Sequence, residues 1–129
     1  IFIDHRYAEP RLLLCDRLNN RLVHTTLDGE LIKVYATKLR KPSSAAFYKD
    51  LVAIAEIDGR ISVFNKEGEM VAEVGTNNTK EIGKNTFGPE TWEAGIVKAP
   101  HGIAFDADGN ILMTEYNKWG RVMKFKVQP

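Results

Sequence analysis

The sequence has a single cysteine, no marked excess of either charge and no long hydrophobic run. One cysteine, Cys15, can form no internal disulfide and cannot build a thiolate zinc site, which excludes a disulfide scaffold and a zinc finger. With 18 basic and 17 acidic side chains the net charge is +1, so the strong basic field of non-specific nucleic-acid binders is missing. Apolar runs are well short of the roughly 20 residues that cross a bilayer. We therefore expect neither a nucleic-acid nor a membrane partner.

The rest of the composition is that of a folded globular domain. Of 129 residues, 43% are hydrophobic and 27% are charged, which is close to the average of soluble domains. The chain begins at Ile1 inside an apolar run and without an initiating Met. From this we expect that a further segment precedes it.

One pattern occurs three times, at 11–35, 50–74 and 110–127. Each copy has an apolar run, a carboxylate, a polar turn rich in Asn, Asp or Gly, an arginine and a second apolar run. The carboxylate and the arginine form the pairs Asp16 with Arg21, Glu56 with Arg60, and Glu115 with Arg121. Short runs of about 4 to 7 residues rich in Val, Ile, Leu and Phe, with turns between them, predict strands. One short helical stretch is predicted at 89–94, where Pro89 suits a helix start.

The repeating unit predicts an all-β fold. A short apolar segment precedes each copy, and we name the four strands of the unit a, b, c and d in an antiparallel meander. The carboxylates recur after 40 and then after 59 residues, and the difference is an insertion at 76–99. A four-stranded unit of about 40 residues is typical of a β-propeller blade. We predict a single partial propeller with blades at 1–40, 41–75 and 100–129, the last one without strand d.

The third copy with its lead-in resembles an NHL repeat, whose pattern is P-x-G-I-A-x-D-x-x-G-x-I-x-V-x-D-x-x-N-x-R-V-x-x-F. Glu115 stands where the pattern has its second Asp. The matching residues are Pro100, Gly102, Ile103, Ala104, Asp106, Gly109, Ile111, Asn117, Arg121, Val122 and Phe125. The first copy matches through Asp16, Asn19, Asn20 and Arg21, and the second is the most degenerate. The resemblance implies a six-bladed propeller of roughly 250 residues, whose remaining blades belong to the same protein or to a second copy.

The meander also predicts where a site lies. Because neighbouring strands run in opposite directions, their connections alternate between the two faces of the molecule. The b-to-c turns, the d-to-a connections and the insertion share one face, which we call the loop-rich face. The short a-to-b and c-to-d turns share the opposite face. Ligand sites lie where long, varied loops converge, so we predict a site on the loop-rich face near the axis, where strand a begins.

His101 is the single residue that most suggests chemistry. In related six-bladed propellers, including the peptidyl-hydroxyglycine amidating lyases, a Pro-His at this repeat position supplies a metal ligand, and imidazole suits zinc. The second copy has Ser43 and Ser44 at this place instead, and a catalytic zinc usually takes three protein ligands. We therefore favour a channel-mouth histidine that is hydrogen-bonded to a neighbouring blade over a metal ligand.

The other candidates also have two interpretations each. A carboxylate-arginine pair that recurs in every blade is expected to brace the b-to-c hairpin, although paired carboxylates can perform acid-base work. Aromatic side chains on the loop-rich face either floor a ligand groove or anchor the insertion, which we favour slightly. These aromatic residues are Phe87, Trp92, Tyr116 and Trp119. We expect Cys15 to be buried and unreactive in strand b, and His5 and His24 to be surface or hydrogen-bonded residues.

Two functions follow. The first is a binding scaffold whose loop-rich face recognises a protein, a peptide or a small ligand. The second is part of a metal-dependent propeller enzyme, similar to an amidating lyase or a lactonase, with His101 as a ligand of an axial zinc or calcium ion. The sequence indicates no compartment.

Overall fold

Three antiparallel sheets make up the part of the chain that the computed structural model describes, residues 1–127. Blade 1 consists of β1 (Phe2–Asp4), β2 (Arg11–Asp16), β3 (Arg21–Thr25) and β4 (Leu31–Ala36). Blade 2 consists of β5 (Pro42–Tyr48), β6 (Leu51–Glu56), β7 (Arg60–Phe64) and β8 (Met70–Val74). Blade 3 consists of β9 (Pro100–Phe105), β10 (Ile111–Glu115) and β11 (Val122–Phe125).

Each sheet is a meander, as the sequence predicted. Neighbouring strands follow chain order in all three sheets and pair antiparallel. The register places Asp16 opposite Arg21 and Glu56 opposite Arg60. All these strands lie inside the blade bounds predicted from the sequence; those bounds themselves stay a prediction, and residues 128 and 129 of blade 3 lie outside the described residues.

The core consists of two apolar layers, one between each pair of neighbouring blades. Alternate residues of a strand point to opposite faces, so β6 contributes Ile54 to the first layer and Ala53 to the second. Leu13 and Leu22 of blade 1 lie in the first layer, and Met113 of blade 3 lies in the second. The strands β6 and β7 of blade 2 are therefore covered on both faces, which explains why they are almost continuously apolar.

Some local details differ from the predictions. β5 starts at Pro42, three residues before the apolar segment that predicted it. The predicted helix is one 3-10 turn, Pro89–Thr91, with proline in its first turn as expected. A second 3-10 turn, Arg17–Asn19, forms the b-to-c turn of blade 1 and ends at Asn20 with φ 52°. Within residues 1–127, no helix has the length and apolar character needed to span a membrane.

Candidate functional site

Glu56 is the carboxylate at the b-to-c turn of blade 2. Its side chain is fully buried and accepts hydrogen bonds from Arg60 Nε at 3.0 Å and Nη2 at 2.9 Å. The backbone N–H of Arg40, two residues before Pro42, donates to the same carboxylate. Arg60 Nη2 in turn donates to the carbonyl of Lys38 at 3.3 Å. The pair thus fixes the connection that leads into strand a.

The same arrangement occurs in blade 3. Arg121 Nη2 donates to Glu115 Oε1 at 2.8 Å, and the backbone N–H of Lys98, two residues before Pro100, donates to that oxygen at 2.5 Å. Arg121 also donates to the carbonyl of Ile96 at 2.8 Å. Glu56 accepts three hydrogen bonds and Glu115 accepts four, so the geometry favours the bracing role of these pairs over acid-base chemistry.

Blade 1 has the weakest of the three pairs. Arg21 Nε donates to Asp16 Oδ2 at 2.7 Å, and Asn19 adds a hydrogen bond at 2.9 Å. The two side chains are 42% and 28% exposed, unlike their buried counterparts. These hydrogen bonds lower the pKa of Asp16, with Arg21 as the largest cause.

A cleft of about 410 Å³ opens on the loop-rich face between blades 1 and 2. The b-to-c turns of the two blades, the connection between the blades and the start of the insertion meet there, as the meander predicted for this face. Its lining residues are Asn20, Leu39, Arg40, Asp58, Asn77, Asn78, Thr79 and Ile82. It is accordingly a polar cleft with two aliphatic side chains, and it lies between the two blades.

Hydrogen bonds hold the walls of this cleft in place. Arg40 donates to the carbonyl of Asn77 at 3.1 Å and to Oδ1 of Asn78 at 3.0 Å. Asn77 is buried, and its amide donates to the carbonyl of Val97 at 2.9 Å. Lys41 Nζ lies 3.0 Å from the carboxylate of Asp58. The insertion is therefore tied to the connection between blades 1 and 2 at the point where it borders the cleft.

His101 lies at the start of strand a in blade 3, with an exposed side chain. Its backbone carbonyl accepts hydrogen bonds from Ser43 Oγ at 3.2 Å and Ser44 Oγ at 2.5 Å. Its ring is 5.7 Å from that of Tyr116. No group of three His, Cys, Asp or Glu side chains able to hold a metal ion occurs within residues 1–127. The link to the neighbouring blade thus runs through the backbone of His101, and the imidazole stays at the surface.

The aromatic candidates separate into two groups. Trp92 is half-buried: its Nε1 donates to the carbonyl of Phe87 at 3.1 Å, and Arg121 lies 5.0 Å above its ring. Phe87 lies 5.8 Å from the ammonium group of Lys98. These contacts anchor the insertion on blade 3. Tyr116 and Trp119, by contrast, are 52% and 50% exposed. Tyr116 lies beside His101, and Trp119 belongs to the same b-to-c turn as Tyr116.

Comparison with known proteins identifies the architecture. No protein-family model matches the chain, and no curated protein matches it. The crystal structure of selenomethionine-substituted virginiamycin B lyase from Staphylococcus aureus, a β-propeller protein, matches with a TM-score of 0.51 and 18% sequence identity. The chain folds as a partial β-propeller. The match covers 92% of this chain and 38% of the lyase chain, and at this identity it concerns the fold alone.

Sequence reasoning missed a polar network on the opposite face. Asp4 and His24 are both fully buried, with His24 Nε2 at 3.0 Å from Asp4 Oδ2. Arg6 Nη2 donates to Asp4 at 2.7 Å and to the hydroxyl of Tyr35 at 3.3 Å. His24 Nδ1 has no hydrogen-bond partner among the described residues. The only local signal was Asp4 two residues before Arg6, and nothing in the sequence indicated that either residue contacts His24.

Two side chains of blade 1 have a raised pKa because they are buried. Burial raises the pKa of Tyr35 to about 12. Burial also raises the pKa of Cys15 to about 11, so this thiol is almost entirely protonated at neutral pH. A protonated thiol is a poor nucleophile, which supports the sequence-based expectation that Cys15 is unreactive.

Proposed function

We propose that this chain is part of a β-propeller that binds a ligand through its loop-rich face. The observation that supports the proposal is the 410 Å³ cleft between blades 1 and 2, in which elements from four separate loops converge. Its size lies within the range of ligand pockets. The hydrogen bonds of Arg40 and Asn77 hold it open in a defined shape.

The side chains of the cleft suit a polar ligand such as an extended peptide. Asn20 and Asn78 offer amides and Thr79 a hydroxyl, and these groups can both donate to and accept from a peptide backbone. The aliphatic side chains of Leu39 and Ile82 can contact the peptide's apolar groups. The proposal therefore covers three classes of ligand: a protein, a peptide or a small polar molecule.

A phage-displayed library of short random peptides, selected on the full-length protein, tests the proposal. Peptides that bind the wild type should lose at least about tenfold in affinity for Thr79→Trp, because the indole fills the cleft. Thr86→Trp is the matched control, since Thr86 is exposed in the same insertion but does not line the cleft. Equal loss with both variants, or none with Thr79→Trp, contradicts the proposal.

The family and the size of the ring belong to the same proposal. The NHL-like pattern of residues 99–125 supports a six-bladed NHL-repeat protein, in which the blades that complete the ring come from the same protein or from a second copy. The structural match spans 38% of the lyase chain, which fits a chain that forms only part of a ring.

A metal-dependent enzyme is the second candidate, favoured by the exposed imidazole of His101 where strand a begins. The neighbouring fold belongs to a protein named a lyase. In this candidate His101 supplies one ligand of an axial zinc or calcium ion and other blades supply the rest. Metal analysis of the full-length protein tests it: stoichiometric metal that His101→Ala loses favours the enzyme, and a metal-free protein with unchanged peptide binding favours the scaffold.

A further inference from the structure

A second cavity lies on the opposite face, between blades 2 and 3. It has a volume of about 530 Å³ and is mostly apolar. Its apolar lining comes from Leu51, Val63, Val71, Ala72, Val74, Phe105, Ile111, Phe125 and Val127. Lys49, Asp108 and Lys126 also line it, with Tyr48 and Gly109. We call it the second-junction groove.

The corresponding position between blades 1 and 2 is filled by the chain itself. There the a-to-b connection, residues 5–10, places Arg6 against the ring of Phe47 at 5.3 Å. The hydroxyl of Tyr7 donates to the carbonyl of Lys66 at 2.6 Å, and Arg6 donates to the carbonyl of Asp50 at 3.1 Å. Phe105, which lines the groove, occupies in blade 3 the place of Phe47 in blade 2, since their partners Ile111 and Val52 both lie four residues before the repeat glutamate.

Loop length explains why one junction is full and the other open. The a-to-b connection of blade 1 has six residues between β1 and β2, whereas that of blade 2 has two between β5 and β6. Two residues complete a tight hairpin turn, so no connection folds over the second junction. Only Tyr48, at the end of β5, reaches across it, with its ring 5.4 Å from that of Phe105. The second-junction groove is thus a repeat position that the chain fills only in part.

The chemistry of the position also changes. The strand register makes Tyr48 the counterpart of Asp4, and Val63 the counterpart of His24. The buried carboxylate that neutralises Arg6 in the first junction therefore has no counterpart in the second. A cation in the groove would have only the exposed carboxylate of Asp108 in place of a buried partner, so the cost of its desolvation would be offset less than that of Arg6.

The charge at the groove favours an anion instead. The two lysines, Lys49 and Lys126, outnumber the one carboxylate, Asp108, and both lysine side chains are exposed. We propose that the second-junction groove binds a small amphiphilic acid, with an aromatic or aliphatic body against Phe105, Phe125 and the aliphatic side chains, and a carboxylate directed to the two lysines. Apolar walls with a few polar groups at the mouth are typical of small-molecule sites.

Three probes with the same body and different head groups test the proposal on the full-length protein: 4-phenylbutyrate, 4-phenylbutanol and 4-phenylbutylamine. Calorimetric titration should show one site for the acid, with an affinity at least about fivefold higher than for the amine, since the lysines attract one and repel the other. Added salt should reduce this difference. Binding of the alcohol as tight as that of the acid overturns the anionic assignment, and tighter binding of the amine shows a cationic occupant like Arg6.

Variants locate the site. Ala72→Phe should abolish binding of 4-phenylbutyrate because the ring occupies the groove, whereas Leu31→Phe, on an exposed outer strand away from the groove, should leave it unchanged. Lys49→Gln with Lys126→Gln should weaken binding about three- to tenfold. Lys84→Gln with Lys118→Gln removes the same charge from the loop-rich face and should have little effect. Equal effects of both lysine pairs, or binding that survives Ala72→Phe in a folded protein, overturn the proposal. Peptide binding to the loop-rich face is measured separately, so the two proposals fail independently.

Discussion

At the residue scale, Glu56 and Asp16 occupy the same repeat position in very different surroundings. Glu56 is fully buried and its partner Arg60 is 6% exposed, whereas the pair of Asp16 and Arg21 is partly solvated. Breaking a buried ion pair leaves an uncompensated charge, but an exposed pair contributes little. The same sequence motif is therefore expected to contribute more to the free energy of unfolding in blade 2 than in blade 1.

Glu56→Gln should lower the free energy of unfolding by about 2 to 3 kcal/mol, because it leaves the buried guanidinium of Arg60 with only the partly exposed carboxylate of Glu73, 2.8 Å away, as a counter-charge. Asp16→Asn, the matched control, should cost much less, because exposed ion pairs contribute little to stability. Urea unfolding of the two variants of the full-length protein measures both values. Equal losses would show that burial does not decide the contribution of these pairs.

Asp4 should make the stability of the protein sensitive to acid. Burial acts to raise the pKa of Asp4, but hydrogen bonds from Arg6 and His24 outweigh it and hold the pKa well below its usual 3.8. The folded state thus favours the ionised carboxylate, and this stabilisation is complete above about pH 4 and is lost as the pH falls below it.

The free energy of unfolding of Asp4→Asn should therefore be lower than that of the wild type at pH 7 and should change less between about pH 5 and about pH 2. Asp28→Asn, at an exposed turn of the same blade, should keep the wild-type pH profile. Chemical denaturation at several pH values checks both. A wild-type profile in Asp4→Asn would remove Asp4 from the acid response.

At the scale of elements, the c-to-d turns of blades 1 and 2 show how a turn can also be a contact. Gly29 and Gly68 both have positive φ, 91° and 84°, a conformation that favours glycine. A Cβ on Gly29 meets nothing within 4 Å, whereas one on Gly68 would collide with the backbone oxygen of Tyr35. The second turn is therefore packed against blade 1.

Gly29→Ala should cost about 1 to 2 kcal/mol, which is the cost of the left-handed backbone alone. Gly68→Ala should cost more, because the strain of the turn and the collision with Tyr35 act together. Thermal or urea unfolding of both variants measures the difference. Equal costs would mean that β4 moves aside freely at this contact.

At the scale of the whole molecule, the outward faces of blades 1 and 3 expose apolar side chains. Ile3 of blade 1 is 51% exposed and Val122 of blade 3 is 70% exposed, whereas the strands β6 and β7 of blade 2 are buried on both faces. Stable repeat folds avoid such faces by closing or capping. We propose that further blades cover these faces, from the same protein or from a second copy.

The isolated 129-residue chain is therefore expected to self-associate. Light scattering should show a mass that grows with concentration, or a discrete dimer if two half-rings close on each other. Ile3→Glu with Val122→Glu should reduce the association, whereas Leu27→Glu, in a turn, should not. A well-folded monomer over the whole concentration range would contradict the need for further blades, whether from the same protein or from a second copy.

Much of the fold could be predicted because each repeat carries short local patterns that are typical of propeller strands and turns. Three local patterns, each only a few residues long, predicted the strands and the loop-rich face. They are the turn residues, the alternating apolar runs and the recurring carboxylate-arginine pairs. The cleft residues Arg40 and Asn77 could not be predicted, since they lie 37 positions apart and their contact depends on how the insertion folds back on blade 2.

The sequence by itself determined the all-β meanders, the hairpin pairs and the face on which the loops gather, because these follow from strand periodicity and turn chemistry. Only the tertiary structure decided what fills the space between blades. In the first junction Arg6 and Tyr7 fold into that space, and in the second a two-residue turn leaves an apolar groove beside Phe105. Packing between blades depends on side chains far apart in the chain, and no local pattern encodes which of them meet.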